Sequence, residues 1–408
     1  MKHWDAIIIG AGIIGLSLAI ELNRRGLRIL IIDKGEAGRE ASWAAGGMLA
    51  DFPLELPPAL HELAAVSAGM YPEFVRELED ASQMKIDLRS QGTILFTSPN
   101  HRSSNQASAA SASDALSLST PLSELEPVLA TEKLSPMNAH FLRERSVDPR
   151  DLVSAAIAAA KHRGIDFSSG DQVLSIEVAS GKTSGVCTNK TTFAAPVVVN
   201  CAGAWSGQIR AHDDTSSAMP AIPTRPVKGQ MLCVVTPQRE FIRHVIRTPD
   251  VYLIPRSDGR LLIGATQEEA GFDKQTVPAT IQKLHHSALE IAPSLADARI
   301  LEAWAGLRPG TPDSLPILGP TELPGYFVAT GHLRDGILLA PVTAQLMAQM
   351  IVGESPRLDL SPFAPRRFRA KVLPYGQFGL PVGQKHDKAM HFCRNTCLIC
   401  SQHFNNYD

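Results

Sequence analysis

Three glycines near the start of the 408-residue chain, Gly10, Gly12 and Gly15, have the spacing of a phosphate cradle. The first permits a tight turn, the second lets backbone approach a pyrophosphate, and the third lets a helix pack closely on a strand. The residues that open such a helix, here Ile13 and Ile14, present its positive end to the phosphate charge. Asp33 follows Gly10 by 23 positions (33 − 10). A carboxylate there accepts hydrogen bonds from an adenosine ribose and repels a 2′-phosphate, which disfavours NADP. The chemistry these four residues point to is dinucleotide binding.

The elements that must position them are legible on either side. Asp5 to Ile9 is a short apolar strand run, and Leu16, Ala19, Ile20 and Leu22 recur with helical spacing as far as Arg25. Gly26 ends that helix like a C-terminal cap, Leu27 to Ile32 is a second strand, and Asp33 closes it. This is the β–turn–α–β unit of a doubly wound sheet. Pro196 to Asn200 reads as another strand of that sheet and runs into Cys201-Ala202-Gly203-Ala204-Trp205. Tyr326 to Thr330 is a further one, turning through Gly331-His332-Leu333-Arg334-Asp335-Gly336 into the apolar helix Ile337 to Val352. Asp151 to Arg163 is an Ala-rich helix.

Two features favour FAD over NAD. Ala41-Ser42-Trp43-Ala44-Ala45-Gly46-Gly47-Met48 is a run of small residues soon after Asp33 and Lys34. Either it lets backbone amides reach a ribityl chain and flavin edge, or it is a close helix–helix contact. The turn Gly331 to Gly336 aims amide N–H groups at one spot, where a reduced flavin carries negative charge, unless it is an ordinary strand-to-helix turn. Segments of another character are interleaved with these. Lys228 to Thr236, Val251 to Arg256 and Leu261 to Ala265 read as strands, with Ser257-Asp258-Gly259 a hairpin turn between the last two. Pro293 and Pro309 to Pro320 read as an irregular, Pro-rich return. The expected fold is therefore α/β, an FAD-binding doubly wound, Rossmann-like domain interleaved with an antiparallel-sheet α+β substrate domain. Residues 1–90, 140–222 and 303–365 are assigned to the first, and 91–139 and 223–302 to the second. Residues 366–408 are expected to be a poorly ordered tail, and Ser98 to Ser119, rich in Ser and Ala, a surface loop or frayed helix.

Composition excludes several other classes. Lys+Arg is 39 and Asp+Glu 41, for a net charge of −2, which argues against a nucleic-acid binder held by phosphate contacts. No apolar stretch reaches the length of a membrane span; the nearest, Ala6 to Ile20, is interrupted by three glycines. Six cysteines in 408 residues make no disulfide scaffold, so a cytoplasmic protein with reduced thiols is expected. His61-Glu62 begins like HExxH, but position 65 is Ala. Gly181-Lys182-Thr183 lacks the first glycine of a P-loop, with Ile176 in its place. His285-His286 is expected to be exposed on a helix. Cys393, Cys397 and Cys400, with His391 and His403, read as an unstructured extension rather than a metal knuckle, because a second ligand pair is missing.

Four stretches resemble the FAD-dependent D-amino-acid oxidase superfamily, and within it the glycine oxidases. They are IIIGAGIIGLSLAIEL at Ile7 to Leu22, VVNCAGAWS at Val198 to Ser206, GLRPGTPDSLPILG at Gly306 to Gly319 and GHLRDGILLAP at Gly331 to Pro341. The resemblance implies a cofactor site that adds Val173, through its backbone, and Leu338 to the residues above. It also implies that Arg308 clamps a substrate carboxylate, that the Tyr252 hydroxyl reaches the same group, that Arg334 lies near flavin and substrate, and that Met48 limits room above the flavin. Taken by themselves, Tyr252 is also an ordinary strand aromatic, Arg308 an ion-pair partner for Glu302 or Asp313, and Met48 a core filler. Two departures stand out. Asp33 replaces the usual Glu, and Asp335 follows Arg334 where relatives often have Asn, an extra charge that would partly neutralise the arginine. The related sarcosine oxidases often carry a cysteine for covalent flavin near the segment Leu307 to Pro312; none lies there, so the resemblance implies non-covalent FAD. The implied activity is oxidation of glycine or another small D-amino acid by hydride transfer to flavin N5. Dioxygen would be the acceptor, hydrogen peroxide a product, thiamine thiazole synthesis the setting, and a homo-oligomer the assembly. The alternatives are a D-amino-acid dehydrogenase passing electrons to a quinone, and a flavin-binding protein without amine chemistry.

Overall fold

Residues Ala6–Ile9 form strand β1, and all four are buried. An unbroken apolar run suits a strand covered on both faces. Ala6 and Ile8 pack into a helical layer, while Ile7 and Ile9 pack on the opposite side, the two-residue period of a strand. The computed structural model describes residues 3–98, 116–117, 120–211, 221–236 and 238–368.

β1 is central in a six-stranded sheet, parallel to β2 (Ile29–Asp33) on one side and to Val197–Asn200 on the other. The order is Ile317–Pro320, Tyr326–Thr330, Val197–Asn200, β1, β2 and Asp166–Ser169, with the first of these antiparallel to its neighbour. Helix α1 (Ile13–Arg24) links β1 to β2. It shares one face of the sheet with helices His61–Ser82, Pro149–His162 and Ala340–Ile351. Pro149–His162 starts where the Asp148 carboxylate accepts the Arg150 N–H at 2.8 Å, with Pro149 in its first turn. The other face carries a four-stranded sheet that includes Val173–Ala179 and Lys182–Thr188.

The second large sheet has eight strands and includes Arg299–Gly310, Arg225–Val235, Arg260–Gly264, Tyr252–Pro255 and Val245–Arg247, in that order across it. Leu232 and Val234 face helix Pro278–Ile291. Met231 and Cys233, on the opposite face, pack with Trp304 against Trp43, Ala44, Met48 and Tyr252. The strands of the two sheets thus come from alternating stretches of one chain.

Three sequence expectations need correction. Pro309 and Gly310, expected to open an irregular return, instead end the twelve-residue strand Arg299–Gly310, which pairs along its length with Arg225–Val235. Pro309 is tolerated because this is the edge strand. Ile317–Pro320, expected to be irregular, pairs with Tyr326–Thr330. The helix expected from Ile337 starts at Ala340, with Pro341 in its first turn, and the preceding residues remain in the turn. The turn Pro365–Phe368 is held by Arg367, which bonds Asp313 at 2.7 Å and the Leu315 carbonyl at 2.9 Å. Most of the Ser/Ala-rich stretch 98–119, and Cys393, Cys397, Cys400, His391 and His403, lie outside the described residues.

Candidate active site

Gly10, between β1 and α1, has φ +102°, and a Cβ there would lie 2.5 Å from the Cys201 carbonyl oxygen. Only glycine fits that crossing point of two strand ends. A Cβ on Gly15 would overlap the Gly10 carbonyl, so Gly15 sets how closely α1 approaches β1. The Ser42 hydroxyl accepts the Ile13 N–H at 3.0 Å, at the α1 N-terminus. Asp33 closes the far side: one carboxylate oxygen accepts the Ala11 N–H at 2.7 Å and the other the Gly35 N–H at 2.9 Å. These amides hold the carboxylate in place and leave lone pairs for ribose hydroxyls.

A cavity of about 760 Å³ opens from this cradle and runs between the two large sheets. That is within the usual span of small-molecule sites, roughly 300–1,000 Å³. Gly10, Gly12, Ile13, Ile14, Asp33, Lys34, Ser42, Ala44, Ala45, Gly46, Gly47, Met48, Val173, Cys201, Ala202, Gly203 and Trp205 line it. So do His332, Leu333, Arg334, Asp335, Gly336 and Ile337. Three expected residues stand behind the wall instead. Gly15 packs beneath Gly10, Gly331 supplies a φ of +78° against Thr311, and Leu338 is buried in the helical layer, its carbonyl accepting the Ser67 hydroxyl at 2.6 Å.

Arg308, Tyr252 and Met48 also line the cavity. Arg308 lies flat over Gly229 of the neighbouring strand, where any Cβ would overlap its guanidinium. Its Nη1 donates to the Thr266 carbonyl at 3.0 Å. The two acids named as alternative partners are taken: Glu302 pairs with Arg150 at 2.5 Å and Asp313 with Arg367 at 2.7 Å. Among the described residues Arg308 makes no ion pair. Burial pushes the Tyr252 hydroxyl up, and the Arg308 guanidinium beside it pulls the other way. A guanidinium without an ion-pair partner, next to a phenol, has the donors a carboxylate would need.

The turn Gly331–Gly336 is more encumbered than its sequence suggests. Arg334 donates to the Glu55 carbonyl and lies 3.7 Å from Asp335, so its charge is partly offset as expected. Burial pushes the Asp335 carboxyl up to about 6, against the pull of Arg334. Burial pushes His332 down to about 3, and its ring bonds Thr343 at 3.2 Å, so it is neutral at ordinary pH.

Three functional neighbours were not read from sequence. Arg256, 1% exposed, donates to the Gly46 carbonyl at 2.6 Å and so fixes the small-residue run from behind. Arg247, beside Tyr252 in the sheet register, pairs with Glu144 at 2.9 Å and Glu55 at 2.5 Å at the cavity wall. Gly229 makes room for Arg308. Only the arginines carried a signal, as charges inside strand patterns, and nothing in one sequence says which of them is buried. Among the described residues no group of His, Cys, Asp and Glu is placed to hold a metal, and no helix is long and apolar enough to cross a membrane.

A glycine cradle with an acid at the end of the second strand, opening into a cavity lined by Arg308 and Tyr252, fits a dinucleotide-dependent oxidoreductase. The family model "FAD dependent oxidoreductase" matches residues 5–350, and the chain belongs to that family. It is 32% identical over 368 residues to a glycine oxidase of Pseudomonas aeruginosa, covering 88% of this chain and 98% of the relative. It is 30% identical over 409 residues to the hydrogen cyanide synthase subunit HcnC of the same organism, covering 90% and 97%. It is 32% identical over 379 residues to the bifunctional protein ThiO/ThiG of a Synechocystis species, covering 91% of this chain and 55% of that longer protein. The crystal structure of glycine oxidase from Geobacillus kaustophilus superposes with a TM-score of 0.78 at 30% identity, covering 91% of this chain and all of that one. The cofactor is FAD, and the cradle, Asp33 and the small-residue run fit it.

Proposed function

We propose that the protein oxidises glycine or another small amino acid, with non-covalent FAD and with dioxygen as electron acceptor. The products are the imine, which hydrolyses to the 2-oxo acid and ammonia, and hydrogen peroxide. The observation that carries this reading is Arg308, without an ion-pair partner among the described residues and beside Tyr252, in the wall of the cavity that begins at the glycine cradle. FAD, when bound, supplies the two-electron acceptor.

The chain's own residues do the rest. Arg308 grips the substrate carboxylate with two parallel N–H donors, and the Tyr252 hydroxyl adds a third. This fixes the orientation of the α-carbon in the cavity. Met48 and Met231, which line the cavity and pack on the same sheet face, keep that end apolar and limit the side chain it admits. No side chain need take a proton if the amine arrives neutral, and His332, bonded to Thr343 and buried, is not placed to do so. Non-covalent attachment is supported by Cys201, the cysteine in the cavity wall. It stands against Gly10 at the phosphate end, and burial pushes its thiol up, away from the reactive thiolate.

The glycine oxidase relatives support the substrate class, and the ThiO/ThiG relative supports a supply of imine to thiamine thiazole synthesis. The HcnC relative makes the electron acceptor the part to test. Oxygen uptake and peroxide are measured with glycine, sarcosine and D-alanine, beside reduction of a quinone or dye in the absence of oxygen. Stoichiometric peroxide supports the proposal. Turnover with the quinone or dye but without oxygen uptake assigns a dehydrogenase instead.

A further inference from the structure

Residues 266–277 leave the second sheet after Arg260–Gly264 and return to it at helix Pro278–Ile291. Both ends are rooted in one buried strand. Gln230, fully buried, bonds Glu268 at 2.8 Å through its amide and accepts the Val277 N–H at 2.7 Å. Lys228, 1% exposed, exchanges two backbone hydrogen bonds of 2.9 Å with Glu268 and reaches Asp273 with its ammonium at 2.9 Å. The middle of the loop is exposed, yet it reaches across to the glycine-cradle part of the fold twice. Phe272 stacks on Trp205 with ring centroids 5.3 Å apart, and Lys274 pairs with Glu40 at 3.1 Å. Trp205 and Glu40 line the cavity, and so do Thr266 and Gln267 of the loop itself. Trp205 is also covered by Lys34, whose ammonium lies 3.2 Å from the ring centre and which directly follows the ribose-side acid Asp33.

We infer that this loop is a clasp over the adenosine end of the FAD site, with Phe272 a positioning residue that acts through Trp205. A 42%-exposed phenylalanine has no core to serve. Its ring contact runs to a residue of the cofactor wall, and a loop doubly rooted in Lys228 and Gln230 holds it there without needing cofactor contacts of its own. Lys274–Glu40 is a second, exposed tie, weakened by salt.

The test is FAD binding by the apoprotein of Phe272→Ala, Phe272→Trp and Lys274→Ala, followed by quenching of flavin fluorescence, with apoprotein melting measured in parallel. Phe272→Ala is expected to raise the Kd roughly two- to tenfold, mainly through faster FAD release, as loss of one aromatic pair predicts. Phe272→Trp should restore affinity. Lys274→Ala should weaken binding at low salt and match wild type at high salt. The apoprotein melting temperature should stay within about a degree of wild type in all three. Unchanged FAD affinity in Phe272→Ala overturns the inference. So does weakened affinity that falls in step with apoprotein stability and is not restored by Trp, because the loop would then be structural.

Discussion

Arg308 is held by carbonyl oxygens rather than by a carboxylate, which leaves a full positive charge for a ligand. Replacing it by Ala should impair glycine capture far more than FAD binding, by about 2–5 kcal/mol, since the substrate carboxylate loses its buried partner. Lys keeps the charge without the fork and should rescue only part. Steady-state kinetics with glycine, beside a simple amine lacking a carboxylate, read this out, and an equal loss on both substrates would make Arg308 structural. Asp335 gives a pH-dependent outcome. Its folded pKa, about 6, lies above the ordinary 3.8, so the folded state holds the proton more tightly. Stability is then lost as pH rises through this window, by roughly 3 kcal/mol for a shift of about two units. In the FAD-free protein, Asp335→Asn should therefore melt above wild type at pH 8, and the difference should shrink toward pH 4. A constant difference across that range would contradict the assignment.

At the level of elements, the β–turn–α–β unit was legible because its parts are local: an apolar run, three glycines, a helical period and an acid at the strand end. The site's far wall was not. Gly229 is an ordinary strand glycine until the neighbouring strand Arg299–Gly310 lays Arg308 across it, a contact between residues 79 positions apart (308 − 229). The end of Arg299–Gly310 was hidden by Pro309, which an edge strand tolerates. Arg308, Tyr252 and Met48 were reached through a family resemblance rather than from spacing. Gly229→Ala tests the contact. The new methyl must push the guanidinium aside, so KM for glycine should rise about tenfold or more while FAD content holds. Loss of flavin together with substrate affinity would show that the strand pair, not the arginine, had been disturbed.

Across the whole molecule, the cavity takes its floor from the six-stranded sheet's glycine turn and its roof from the eight-stranded sheet, and chain segments alternate between them. Every described residue lining it lies at or before Ile337, and near the end of the described residues Arg367 is tied to Asp313. A chain ending at Arg369 should accordingly keep its flavin content and turnover. Loss of either would place a structural element in the removed segment. The central claim, that a small amino acid is oxidised in this cavity, is tested most directly by the visible spectrum of the FAD-loaded protein under anaerobic conditions, before and after glycine. The protein should be yellow, and its oxidised-flavin absorption should be lost on adding glycine and return on admitting air. A spectrum unchanged by glycine, sarcosine or D-alanine, in a protein whose flavin dithionite still reduces, would contradict it.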